Sequence, residues 1–189
     1  LMRHAHKTQN SNLQAYVNTT LTKMAYGGIF DQIGGGFARY SVDEKWHIPH
    51  FEKMLYDNGQ LVSLYSDAFL INKNELYKET VYNTLEFIER ELMHENGGFY
   101  ASLDADSVNE EEELEEGAFY VWKKEELKKI IGSDFELFSQ YYNINEYGFW
   151  EDDSYNLIRS TSDQAFANMH TIAIDDFKKT VDQWKNKLL

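Results

Sequence analysis

Cysteine is absent from the 189-residue chain, and proline occurs once, at Pro49. Without cysteine there can be no disulfide, no thiolate metal site and no redox dithiol, which suits a reducing compartment; a cytoplasmic location is expected. Basic residues are scarce, 18 against 32 acidic, and the resulting net charge of −14 opposes binding to a phosphate backbone or an anionic lipid surface. Neither nucleic acid nor membrane is an expected partner. No run approaches the ~18 apolar residues of a spanning helix, and the start lacks the apolar centre of a secretory signal.

What the chain has is aromatic and helical. At 42% hydrophobic and 15% aromatic it can fill a substantial core, and residues 1–189 are read as a single domain. Its first residue is Leu1, inside what reads as a helix end (Leu1 to Lys7), and its last lie in an amphipathic stretch, so the expectation is a fragment. Leu13, Tyr16, Val17, Leu21 and Met24 form one stripe behind an expected cap at Ser11, and that helix should stop at Gly27-Gly28. From Met54 to Ile71 apolar residues run most of the way round, as in a helix buried between others. Glu75 to Leu92 instead carries a single stripe of Tyr77, Val81, Leu85, Ile88 and Leu92, suiting an outer helix. Shorter helices are predicted over 123–131, 134–142 and 162–169, the last behind a capping box of Thr161 and Gln164. A final helix from Asp175 puts Phe177, Val181, Trp184 and Leu188 on one face.

A pattern recurs between helices. Gly27-Gly28-Ile29-Phe30 precedes Gly35-Gly36-Phe37 and Tyr40, just as Gly97-Gly98-Phe99-Tyr100 precedes Gly117-Ala118-Phe119-Tyr120 and Trp122. Repeated helix pairs joined by aromatic loops are expected, with short β-hairpins at Ile29 to Tyr40 and Phe99 to Trp122. The acidic run Glu110 to Glu116 repels itself and reads as a solvated loop.

Chemistry concentrates in Gly27 to Gln60. Asp31, Arg39, Tyr40, Asp43, Trp46, His47, His50, Glu52, Lys53, Tyr56 and Asp57 fall there among glycines, a composition suited to a pocket wall. A carboxylate beside a histidine with a fixed arginine can move protons at a sugar carbon or glycosidic oxygen. The catalytic candidates are thus His50, Glu52, Asp31 and Asp104, and the ligand-binding candidates Arg39, Tyr40, Trp46, Asp57 and Asp106. If the two units are repeats, Asp104 and Asp106 belong to the loop matching that of Asp31. The competing reading is that these charges satisfy one another and that Asp104 caps a turn. His47-Ile48-Pro49-His50 does not make a metal site, since Pro49 disfavours the helix that would align both rings and no third ligand is evident. Gly34-Gly35-Gly36 lacks the Lys-Ser/Thr of a phosphate loop and reads as a tight turn, so no cofactor is implied.

The run from Met24 to Asp43, with Trp46 and Pro49-His50-Phe51-Glu52-Lys53-Met54-Leu55-Tyr56-Asp57-Asn58-Gly59-Gln60-Leu61, resembles the signature of the YyaL-like, spermatogenesis-associated thioredoxin-domain-containing family. Gly98 to Ser107 and Glu116 to Trp122 resemble it as well. The resemblance implies an α/α toroid of the six-hairpin glycosidase-like kind, incomplete here, with a thioredoxin-like domain upstream. Two functions stay open: a carbohydrate-active domain (epimerase or glycosidase-like) taking a sugar-like small molecule, or a non-catalytic ligand-binding or scaffolding module. An incomplete ring would also expose Leu55, Val62, Tyr65 and Phe69, so self-association is expected.

Overall fold

The structure is a computed structural model that describes residues 1–109 and 111–189; Glu110, first of the acidic run, lies outside the described residues. Helices dominate, with short paired strands between them. The order is α1 (Met2–Lys7), α2 (Ser11–Tyr26), β1 (Tyr40–Ser41), β2 (Pro49–His50), β3 (Lys53–Met54), α3 (Leu55–Asn72) and α4 (Glu75–Phe87), then β4 (Ser102–Leu103), β5 (Asp106–Val108), β6 (Leu114–Glu116), β7 (Val121–Lys123), α5 (Lys124–Ile131), α6 (Phe135–Tyr141), β8 (Ser154–Asn156), α7 (Asp163–Met169) and α8 (Ile174–Leu188). No helix among the described residues is long and apolar enough to cross a membrane.

Local chemistry sets the helix starts. Asn10, not Ser11, caps α2: its side chain accepts from Leu13 N, and Ser11 is already the first helical residue. Asn74 does the same for α4 through Leu76 N, after Lys73 closes α3 in the left-handed region at φ 57°. Ser162, not the Thr161–Gln164 box, caps α7 through Ala165 N, and Gln164 bonds Asn168 instead. On α4 the buried face is Leu76, Tyr77, Thr80, Thr84 and Phe87, while Leu85 of the expected stripe is exposed. Thr80 and Thr84 tolerate burial because each hydroxyl donates to the carbonyl four residues back. The helix then widens into a π turn over Ile88–Leu92, which buries Leu92.

The strands do not pair as two local hairpins. Ile29 to Tyr40 contributes only the bridge Phe30–Phe37, while β1 pairs with β2. In the second region β5 and β6 pair locally, but β4 pairs with β3 and β7 with β8. Side-chain burial outweighs sequence proximity here. Leu103 is carried to Lys53, and Trp122 to Tyr155, so each loop is stapled to a neighbouring unit.

Two apolar clusters result. The first gathers Leu21, Ala25, Phe30, Phe37, Tyr65 and Tyr77 between α2, α3 and α4. Tyr65, expected on an exposed inner face, is 1% exposed there and donates to Leu21 O at 2.7 Å. The second packs Leu127, Phe138, Tyr142, Phe166, Phe177 and Trp184 between α5, α6, α7 and α8. A polar seam joins them. Gln32 donates to the carbonyls of Ala25, Gly27 and Phe30 and accepts from Arg159 Nε at 2.9 Å, while Arg159 also reaches Tyr141 and Asp163. Asn156 donates to His47 O and Gly28 O across the same seam. Gly28 is required at this crossing because a Cβ would lie 2.0 Å from His47 O and 2.1 Å from Asn156 Nδ2.

Candidate functional site

The glycine turn after α2 delivers the first acid. Asp31 Oδ1 accepts from the N–H groups of Ile33 and Gly34, and its backbone N–H closes onto Gly36 O. Gly35 and Gly36 have φ of 77° and 80°, a region that a side chain resists, and Gly36 lies flat against the Phe87 ring. The tight turn expected from Gly34-Gly35-Gly36 is thus present. It aims the second oxygen of Asp31 at Lys53.

Lys53 is the residue that sequence reasoning missed as a site. It is only 2% exposed, and its Nζ donates to Asp31 Oδ2 at 2.8 Å and to Gly35 O at 2.9 Å. The same ammonium lies 4.6 Å from the ring centroids of Phe87 and Tyr120. Burial alone would raise the Asp31 carboxyl, but the Lys53 charge and hydrogen bond, with the N–H groups of Gly34 and Ile33, hold it below its ordinary value. Burial pulls Lys53 down, and Asp31 restores part of the loss. Phe-Glu-Lys-Met carries no periodicity that marks this lysine as buried. The β3–β4 pairing and the rings of Phe87 and Tyr120, all remote in sequence, cover it.

Above the pair opens a cleft of about 720 Å³. Phe87, Phe119, Tyr120 and Trp122 supply aromatic surface, and the carboxylates lining it are Asp31, Glu91, Glu111, Glu115, Glu126 and Asp152. Lys53, Arg90 and Lys123 are the basic lining residues. Arg90 is engaged by Glu91 at 2.7 Å and by Gly34 O at 2.6 Å. Tyr120 is pushed well above its ordinary value by burial first and then by Asp31 and Glu91, so its phenol keeps its proton. A cleft of this size with aromatic walls and a few convergent polar groups is the usual form of a small-molecule site.

A second constellation holds most of the residues that the sequence singles out. His50 Nδ1 lies 2.7 Å from Glu116 Oε1, and its Nε2 is 3.7 Å from Glu52 Oε2. Arg39 donates to Glu52 at 3.0 Å, and the Tyr40 ring stacks on His50 at 5.1 Å. Asp57 stands near this group: burial raises its carboxyl, Arg39 opposes and Glu52 adds to the rise. One Asp57 oxygen, Oδ2, is buried without a hydrogen bond among the described residues. Arg39, Tyr40, His50, Glu52 and Asp57 are therefore brought together, with Glu116 an unforeseen member supplied by β6. None of the six lines the 720 Å³ cleft.

The remaining candidates lie apart. Trp46 is half-buried against the first cluster in a left-handed conformation, φ 62°, and its carbonyl accepts from Ile29 N. The turn that presents it is organised by Asp43, which accepts from the N–H groups of Lys45, His47 and Ile48. Asp104 is exposed and accepts from Asp106 N, the turn-capping arrangement, and Asp106 is exposed on β5 opposite Glu116. Asp31 lines the cleft, whereas Asp104 does not.

Helices joined by short strand pairs, with a lysine–aspartate floor beneath an aromatic cleft, define a mainly α structure with a small-molecule-sized cleft. No family model matches the chain. It is 44% identical to human spermatogenesis-associated protein 20 over 69% of its own length and 17% of the relative's, and 41% identical to the mouse protein of that name over 79% and 20%. It is also 38% identical to uncharacterized protein B0495.5 of Caenorhabditis elegans, over 89% of this chain and 26% of that one. These similarities support the spermatogenesis-associated protein 20 family. The chain spans 17 to 26% of the length of these relatives.

Proposed function

We propose that this chain is the ligand-binding α/α-toroid portion of a thioredoxin-domain-containing cytoplasmic protein, and that it holds a sugar-like small molecule in the Lys53 cleft without transforming it. The observation that carries this reading is the cleft: about 720 Å³, with Tyr120 and Trp122 in its wall and the Asp31–Lys53 pair at its floor. The Tyr120 hydroxyl and the Trp122 indole N–H make no hydrogen bond among the described residues. A sugar ring presents an apolar face to an aromatic wall and hydroxyls to donors and carboxylates, which is the chemistry assembled here.

A binding role is favoured over catalysis because the expected acid pair is not opposed across the cleft. Glu52 is engaged by Arg39, and Asp104 by its own turn. One observation favours a second reading, carbohydrate-active chemistry: His50 stands between Glu116 and Glu52, an arrangement able to pass a proton. In that case His50→Ala and Glu52→Gln abolish turnover and leave binding in the cleft intact.

The test is a titration of the protein with neutral, basic and acidic mono- and oligosaccharides, read by tryptophan fluorescence. Saturable binding that weakens about tenfold in Phe119→Ala, the loss expected for one stacking residue, with the melting temperature held because Phe119 is 69% exposed, is the expected result. If no sugar of any charge class binds, the reading fails.

A further inference from the structure

The floor of the cleft displays one way of holding an ammonium group. Lys53 Nζ is bound by a carboxylate, a carbonyl and two ring faces, each centroid at 4.6 Å. The lining above supplies two of those ingredients, aromatic rings and carboxylates. Phe119 is 69% exposed, and Trp122, Glu126 and Asp152 line the same cleft. The charges are also unequal: among the described residues the lining holds three basic side chains, of which Lys53 is engaged by Asp31 and Arg90 by Glu91, against six carboxylates.

The negative field has a definite consequence for the ligand. An acidic molecule entering the cleft is repelled by the excess of carboxylates, and a neutral one gains only hydrogen bonds from them. A cation gains from the carboxylates and the ring faces together, and apolar walls concentrate that field within the cleft. The raised Tyr120 phenol agrees, since Asp31 and Glu91 contribute to its shift after burial. We propose that the ligand of this cleft carries a protonated amine, so that an amine-bearing sugar-like ring is preferred to its neutral or acidic counterparts. This rests on the reading of the cleft as a sugar-like binding site.

Glucosamine, glucose, N-acetylglucosamine and glucuronate are titrated calorimetrically into the protein at pH 6, where the amine is protonated and exposed glutamates are ionised. Glucosamine is expected to bind about tenfold more tightly than glucose, the gain of one cation near ring faces and carboxylates. N-acetylglucosamine should lose that gain because acetylation removes the charge, and glucuronate should bind most weakly. The preference should shrink in 0.5 M salt and in the Glu126→Gln/Asp152→Asn variant, whose two substitutions fall on the wall and leave the Lys53 pair untouched. Equal affinity for glucosamine and glucose overturns this inference and leaves the sugar reading standing. A preference unaffected by salt and by the double variant also overturns it, whereas binding of none of the four removes both.

Discussion

Replacing Lys53 by methionine isolates the charge at the cleft floor. Methionine nearly preserves the shape of the buried chain but leaves Asp31 without its cation and Gly35 O without its donor. Breaking a buried pair by removing one partner costs about 3–5 kcal/mol. Asp31 keeps two N–H donors from Ile33 and Gly34, so the low end, about 3 kcal/mol, is expected for this site. Adding Asp31→Asn removes the stranded charge while an amide oxygen still accepts from those N–H groups. The Lys53→Met/Asp31→Asn double variant should therefore recover most of the loss, a coupling that a double-mutant cycle in urea measures. The pH dependence carries a second sign. In the parent, Asp31 is held below its ordinary value, so its contribution is fully present above about pH 3.9 and is lost as pH falls through the folded value. In the single variant the lowering by Lys53 is gone and only the N–H groups of Gly34 and Ile33 oppose burial, so the Asp31 carboxyl rises and the deficit should narrow as pH falls toward 4. A single-variant loss below 1 kcal/mol, or a double variant as unstable as the sum of the two singles, refutes the account.

Arg159→Met should destabilise by about 3 kcal/mol in urea, because it strands Asp163 and uncouples Gln32 from the second cluster. Gly36→Ala meets both a positive φ and the Phe87 ring 2.4 Å from the new Cβ, so it should cost about 3 kcal/mol; Gly97→Ala has a similar φ in open space and should cost about 1 kcal/mol. Burial tends to raise Asp43, but the N–H groups of Ile48, His47 and Lys45 hold it below its ordinary value. Asp43→Asn should therefore remove an acid-labile part of the stability, one present above about pH 3.9 and lost below it, which melting curves between pH 3 and 7 would register.

The helices were legible because periodicity and chain breakers are local properties. Phe177, Val181, Trp184 and Leu188 do share one face, and Gly27 does end α2. Caps were legible only to within a residue, since Asn10, Ser11, Thr161 and Ser162 are all good cap residues and φ/ψ decides among them. Strand pairing was not legible. Two- and three-residue strands have too little alternation to specify a partner, so the pairing of Lys53 with Leu103, 50 positions along the chain, follows from packing. The same limit hid the site. Arg39, Tyr40, His50, Glu52 and Asp57 are close in sequence and lie close in the structure, but the sequence had no means of joining Glu116 to them or of raising Lys53 above its neighbours.

Asp31 and Trp122 connect the cleft to the rest of the molecule in different ways. The turn bearing Asp31 contains Gln32, whose side chain ties the end of α2 to Arg159 of the second cluster. Trp122 lies on β7, paired through Tyr155 with β8, and packs against that second cluster. The turn that carries Asp31 therefore touches both clusters, through Phe30 in the first and Ile33 in the second, while Trp122 of the wall packs against the second. A displacement between the clusters would strain this turn as well as shift Trp122. The buried Gln32–Arg159–Asp163 seam opposes such displacement with directional hydrogen bonds that apolar contact alone does not supply. Substituting apolar residues throughout that seam could preserve stability yet loosen the cleft. For that reason ligand affinity, rather than melting temperature, is the quantity through which the seam's contribution to the site should be read.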